Sequence, residues 1–197
     1  MLSAEDVDFY GSVFKDLDPT GLAGLFQLAQ TRTLTAGAIY IRHGSNSSKI
    51  AFIRKGLIRA FFVKENDEEI TLMLRWENQF VASLESIMTQ KPSRYTFQAM
   101  EETVLIELDY NAIRSAIDTN PSLSDSRNRF LMHMLSQAMD RIEGFVLLSP
   151  EERYRKLLAE KTDIVNRVPD KHLATMLGIT PVSLSRIRKR MSANPRQ

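Results

Sequence analysis

An α+β fold in two parts is predicted by three observations: the hydrophobic period changes near Thr31, one long helical pattern covers 121–148, and a basic helix-turn-helix pattern fills 169–191. From Thr31 onward, AIYIR, KIAFIRKG, LIRAFFVK, EITLMLRW, RYTFQAM and TVLIEL are short runs rich in β-branched and aromatic residues. Gly37, Gly44-Ser45-Asn46-Ser47, Gly56 and Glu65-Asn66-Asp67-Glu68 separate them. That rhythm predicts an N-terminal β-roll or jelly-roll-like unit of about eight strands. The division expected is a β-roll sensor domain with flanking helices over 1–120, a long dimerisation helix and hinge over 121–148, and a C-terminal winged helix-turn-helix-like domain over 149–197.

Before the roll, residues 4–16 and 19–30 read as short helices, the second with Leu22, Leu25, Phe26 and Leu28 on one face. Inside it, Phe80 to Tyr95 interrupts the strand rhythm: SLESIMTQ reads as a short helix and KPSR as a turn. Two readings stay open for this excursion. It closes the barrel, with Glu85 and Arg94 solvated or paired with each other, or it holds an anion on backbone amides and Arg94.

A short helix at 110–118 leads to the long pattern, started by Asn120 or Pro121 with Ser122 and Ser124. Leu131, Leu135, Ala138, Ile142 and Phe145 recur there at steps of four and three, a heptad seam that calls for a second helix alongside. Phe130, Met134 and Val146 are expected to face the roll, and Met132, Met134 and Met139 to fill gaps in the core. Ser149-Pro150-Glu151-Glu152 marks a new helix start and a boundary, with Ser149 as cap and Pro150 at the first helical position. One helix, ERYRKLLAEKTDIVNRV, should follow.

In PDKHLATMLGITPVSLSRIRKRM, Leu173, Ala174 and Leu177 give the first helix its apolar face. Gly178 can stop it in the left-handed conformation, which a residue without Cβ adopts cheaply. Thr180 caps the next helix, Pro181 opens it, and Leu184, Ile187 and Met191 turn inward. The other face shows Thr180, Pro181, Val182, Ser183, Ser185, Arg186 and Lys189, with Arg188 and Arg190 on the flanks. Small residues allow close approach to a major groove, and arginine can bond guanine there with two hydrogen bonds. A merely solvated cationic helix end is the bland alternative for RIRKR. Charge placement argues against it: residues 150–197 hold 11 Lys/Arg and 5 Asp/Glu, net +6, and residues 1–149 hold 15 and 19, net −4. A basic end on an acidic body suits a polyanion.

Composition narrows the rest. No apolar run reaches the roughly 20 residues that span a bilayer, and the acidic start MLSAEDVDFY is unlike a signal peptide, so a cytoplasmic location is expected. Absence of cysteine excludes disulfides, thiolate-held iron–sulfur clusters and thiol redox sensing. His43, His133 and His172 stand in no metal-ligand spacing, and no nucleotide-binding loop or nucleophile elbow occurs, so neither a metal centre nor an enzyme is expected.

The order β-roll, long helix, SPEERYRKLL, helix-turn-helix resembles the CRP/FNR family of bacterial transcription regulators over nearly the whole chain. AGAIYIRHGSNSSKIAFIRKGLIRAF is similar to the family's early roll. KPSRYTFQAMEETVLIELD is similar to the end of its phosphate-binding cassette, and PDKHLATMLGITPVSLSRIRKRM to its DNA-reading unit. The resemblance implies a homodimer paired through the long helix, double-stranded DNA as partner, RNA polymerase as a further candidate partner, and a small anionic effector in the roll. On the cassette, Ser83, Leu84, Glu85, Ser93, Arg94 and Tyr95 would line that pocket. Where the family's cyclic-nucleotide binders have Gly-Glu-Leu, this chain has Ala82-Ser83-Leu84, and their Arg-Ser pair is reversed to Ser93-Arg94. An effector other than cyclic AMP, or none, is therefore expected. Arg186 aligns with the family's guanine-reading arginine, whereas Pro181-Val182 replaces the Arg-Glu pair before it, which implies a different operator. The rival expectation is a ligand-independent architectural or scaffold protein with a degenerate pocket.

Overall fold

The computed structural model describes residues 28–119 and 122–193. Both N-terminal helices expected from the sequence lie outside the described residues, except for the last three positions of the second, where 28–29 are not helical and Gln30 begins a strand. The eight strands among the described residues are β1 (Gln30–Leu34), β2 (Ile39–Ile41), β3 (Lys49–Lys55), β4 (Ile58–Val63), β5 (Glu69–Arg75), β6 (Phe80–Ala82), β7 (Thr96–Ala99) and β8 (Thr103–Asp109). They form two four-stranded antiparallel sheets, ordered β1-β8-β3-β6 and β2-β7-β4-β5. Between the sheets, Leu34, Ile41, Ala51, Ile53, Ile58, Ala60, Val81, Phe97, Ala99 and Leu105 make the roll's core.

Phe80–Ala82, expected to lie outside the strand rhythm, is an edge strand on β3, since Val81 must enter that core. Helix α1 (Leu84–Thr89) then follows, and α2 (Tyr110–Thr119) and α3 (Ser122–Leu147) stand where the sequence placed them. Behind Ser149, α4 (Pro150–Glu160) starts with a full capping box: Glu152 N donates to Ser149 Oγ at 3.3 Å, and Ser149 N donates to Glu152 Oε2 at 2.8 Å. The single helix expected after it is broken at Lys161, whose φ −150° and ψ 89° are not helical, and a short α5 (Ile164–Arg167) follows. That break lets Ile164 be fully buried while Lys161 and Arg167 turn toward the roll. Helices α6 (Asp170–Met176) and α7 (Pro181–Ala193) complete the described residues. No strand follows β8 among the described residues, so the expected wing is not formed in them.

Two expectations for the long helix are overturned. Val146, assigned to the roll face, is 75% exposed, and Met132 and Met139, assigned to the core, are 65% and 46% exposed. Among the described residues α3 meets the roll near its C-terminal end, through Arg141 and Phe145, and Leu131, Leu135, Ile142 and Val146 are exposed.

Gly56, in the tight β3–β4 turn, has φ +100°, and a Cβ there would come within 2.5 Å of Thr103 Oγ1 and 2.6 Å of the Glu102 carbonyl. Gly44 has φ +77° but open space around it. Gly56→Ala should therefore cost more than about 2 kcal/mol of stability and Gly44→Ala about 1–2 kcal/mol, read from urea unfolding.

Candidate nucleic-acid interface

The turn between α6 and α7 is built as its residues dictate. Gly178 has φ +71°, its N–H reaches Thr175 O, and Ile179 N–H reaches Ala174 O, each at 3.0 Å. A Cβ on Gly178 would press the Phe145 ring at 3.1 Å, so the glycine answers to packing as well as to backbone conformation. Ser183 N donates to Thr180 Oγ1 at 3.2 Å, and Pro181 opens α7. Leu184 and Ile187 are buried and Met191 is half-buried.

Opposite that buried face, Pro181, Val182, Ser185, Arg186 and Lys189 are exposed, and Ser183 is partly so. Arg186 and Lys189 thus present cationic heads to solvent beside small side chains. Arg188 is placed differently: its Nε donates to Tyr154 Oη at 3.0 Å and its Nη1 pairs with Asp170 at 2.7 Å, so it clamps α7 onto α4 and α6. Arg190 reaches Glu151 at 3.0 Å across a groove of about 440 Å³ between the start of α4 and α7, lined also by Ser149, Ile179 and Arg186. Glu151 is held below the usual carboxylate range by hydrogen bonds from Arg155 and Arg190.

Arg153, unremarked in the sequence, fixes the angle of the unit to the long helix. It donates to Leu148 O at 2.6 Å and to Leu177 O at 2.9 Å, with its guanidinium 4.7 Å from the Phe145 ring centroid. One arginine thereby joins the end of α3, the start of α4 and the end of α6.

The C-terminal unit is also welded to the roll. Leu57 and Leu74 of the roll share a buried cluster with Tyr154, Leu157, Ile164, Leu173, Leu177, Leu184 and Ile187. Arg167 lies between two roll carboxylates, Glu77 at 2.7 Å and Glu101 at 2.5 Å, and Lys161 reaches Glu77 at 3.0 Å. Burial alone would raise the Glu77 pKa, but hydrogen bonds from Arg167, its own backbone, Lys161 and Gly56 hold it at about 2. On β4, Arg59 is 5% exposed and donates to Glu69 at 2.6 Å, to Gln98 at 2.8 Å and to His172 Nδ1 at 2.7 Å. A guanidinium can only donate, so His172 accepts in its neutral form. Burial, with the charges of Arg59 and Lys171 and against that of Glu69, pushes the imidazole down to about 4. None of these contacts could be found from local pattern; a charge inside the apolar run LIRAFF was the one available hint.

On the cassette, the candidate ligand residues are satisfied among themselves. Arg94 Nε and Nη2 both bond Glu85 Oε1 at 2.7 Å, the pairing left open by the sequence. Ser83 is fully buried and accepts from Ser86 Oγ at 3.1 Å, and Ser93, also buried, donates from Oγ to Tyr95 O at 2.8 Å. Leu84 is exposed, and the Tyr95 ring packs against the roll core beneath the Arg94 guanidinium. All five heptad residues of α3, Leu131, Leu135, Ala138, Ile142 and Phe145, are exposed. The side chain of His133 is outside the described residues. No helix among the described residues is long and apolar enough to cross a membrane.

Because the folded imidazole of His172 resists protonation, stability is fully present above pH 6.5 and should fall as pH drops from 6.5 through about 4. Glu77 acts lower: its contribution is present above 4.5 and is lost as pH falls through about 2. His172→Gln, which keeps an acceptor for Arg59, should flatten the urea midpoint over the upper window only. A wild-type slope there would show that the buried imidazole is not its source.

Residues 31–120 match the cyclic nucleotide-binding domain family. Among curated proteins, none is similar enough in sequence to count as a relative. Among solved structures, the chain is similar to the c-di-GMP-responsive global regulator CLP of Xanthomonas campestris at 14% identity and TM-score 0.68, covering 90% of this chain and 93% of that one. It is similar to FixK2 of Bradyrhizobium japonicum at 11% identity and TM-score 0.72, covering 85% and 86%. A CRP/FNR-family protein of Eubacterium rectale gives 17% identity and TM-score 0.68, covering 93% and 88%. The roll over 31–120 thus matches the cyclic nucleotide-binding domain family, in a chain whose fold is similar to that of these regulators.

Proposed function

We propose that the protein is a homodimeric, sequence-specific transcription regulator of CRP/FNR type. It would read double-stranded DNA through Thr180, Pro181, Val182, Ser183, Ser185, Arg186 and Lys189, with Arg188 setting the pose of the helix. The observation that carries this reading is the exposed cationic face of α7, held outward by an apolar face that is buried. Val182 at the start of that face, 61% exposed, suits contact with a thymine methyl group, and Arg186 suits guanine. The exposed heptad of α3 favours a second copy alongside, which would present two such helices on one side of a duplex. On this reading 1–120 senses, 121–148 pairs the subunits and 149–197 binds DNA.

The mutual pairing of Arg94 with Glu85 favours a regulator that does not hold a cyclic nucleotide on this arginine. The rival, an architectural protein without a ligand, would bind random duplex as tightly as any selected site.

After selection of bound DNA from a random pool, Arg186→Ala should lower affinity for the chosen site by about 1–3 kcal/mol and relax preference at one base pair, read by fluorescence anisotropy. Equal affinity for selected and random duplex would defeat the assignment. Leu135→Asp with Ile142→Asp should yield monomers in sedimentation velocity and weaken operator binding, while unfolding of the roll stays cooperative.

A further inference from the structure

At the junction of β5, α3 and α6 lies a cavity of about 430 Å³ walled by Ile70, Leu72, Ile142, Phe145, Val146 and Met176. Its polar members are Thr71, Thr175 and Arg141. Thr71 is 1% exposed, and its Oγ1 has no hydrogen-bond partner although it lines the cavity wall. Arg141 donates to the Leu72 carbonyl and lies 5.1 Å from the centroid of the Phe145 ring. Among the described residues it has no carboxylate partner, and neither has Arg75, three positions along β5 from Leu72. Burial lowers the pKa of both, and the charge of Arg75 adds to the effect on Arg141. Both side chains are half-buried, and a charge taken partly out of water without a counter-charge keeps part of its desolvation cost.

A second copy would not repair this. In the heptad that runs through Ile142 and Phe145, Arg141 occupies the g position. A parallel two-stranded coil sets it against the e position five residues on, Val146 of the partner subunit, which offers no carboxylate.

We infer that this junction is a binding site for an amphiphilic anion, its carboxylate on Arg141 within the field of Arg75 and its hydrocarbon body along Ile70, Leu72 and Met176 on the roll side of α3, which leaves the seam of Ile142 and Phe145 to a second copy. Thr71 offers the carboxylate a hydroxyl donor. The site is distinct from the cassette at Arg94 and needs no DNA binding to exist. A ligand there would touch the roll, the long helix and the first helix of the C-terminal unit together, so it would bias how that unit is held.

Full-length protein should be titrated with sodium decanoate, with decan-1-ol and with inorganic phosphate, reading the unfolding temperature and the heat of binding. Decanoate should raise the unfolding temperature saturably, and neither control should. Arg141→Gln should weaken decanoate at least about tenfold. Arg141→Lys, which keeps the charge and loses the planar fork, should bind decanoate between wild type and Arg141→Gln. Arg94→Ala should match wild type. An equal response to decanol would reduce the site to bare apolar surface, and an equal response to phosphate would reduce it to an anion patch; either overturns the proposal. So would wild-type affinity in Arg141→Gln. If that variant fails to fold, Val146→Trp, which fills the cavity from its open side, should abolish binding, and retained binding would be equally fatal.

Discussion

The arrangement of this protein depends on one hydrophobic core shared by two units. Leu57 and Leu74 leave the roll to pack with Leu173, Leu177 and Leu184, so the surface that stabilises the helix-turn-helix also attaches it. Each buried leucine contributes about 1.5–3 kcal/mol, and here that energy fixes an orientation as well as a fold. Charged groups frame the contact on both sides. Arg167 between Glu77 and Glu101 closes one edge, and Arg59 against His172 and Glu69 the other. Such pairs add little net stability over apolar packing, but they penalise any slip that separates them, which gives the joint a register.

That register explains why α7 faces outward. With Leu184 and Ile187 committed to the shared core and Arg188 held by Tyr154 and Asp170, the helix cannot rotate without exposing leucine or stranding a guanidinium. Arg153 extends the constraint to the long helix through Leu148 and Leu177. Two copies joined along α3 would carry their outward faces in a fixed relation. The cassette takes no part in this chain of contacts, since Glu85 already neutralises Arg94. The cavity beside Arg141 does take part, being bounded by all three elements at the joint.

Much of the architecture is legible in the order of residues because its causes are local. Alternation of β-branched residues sets the strands, and the spacing of Leu184, Ile187 and Met191 sets the buried face of α7. Ser149 with Glu152 and Thr180 with Pro181 set helix starts within four residues of chain. The misreadings share one cause. Phe80–Ala82 is a strand, the helix expected over 152–168 is two, and Val146 and Met139 face outward, because in each case distant surfaces decide what is buried.

The boundary between the two kinds of information is a matter of range. Sequence alone determined the element types, the caps, the turn glycines, the polarity of α7 and the concentration of positive charge near the C-terminus, all properties of neighbours along the chain. Tertiary structure decided that Arg167 meets Glu77 and Glu101, that Arg59 meets His172, that Glu85 takes Arg94 and that Arg141 meets no carboxylate among the described residues. In the first two cases the partners lie 66 to 113 residues apart. A charge's partner depends on where folding brings the chain back on itself, and no local period encodes that return.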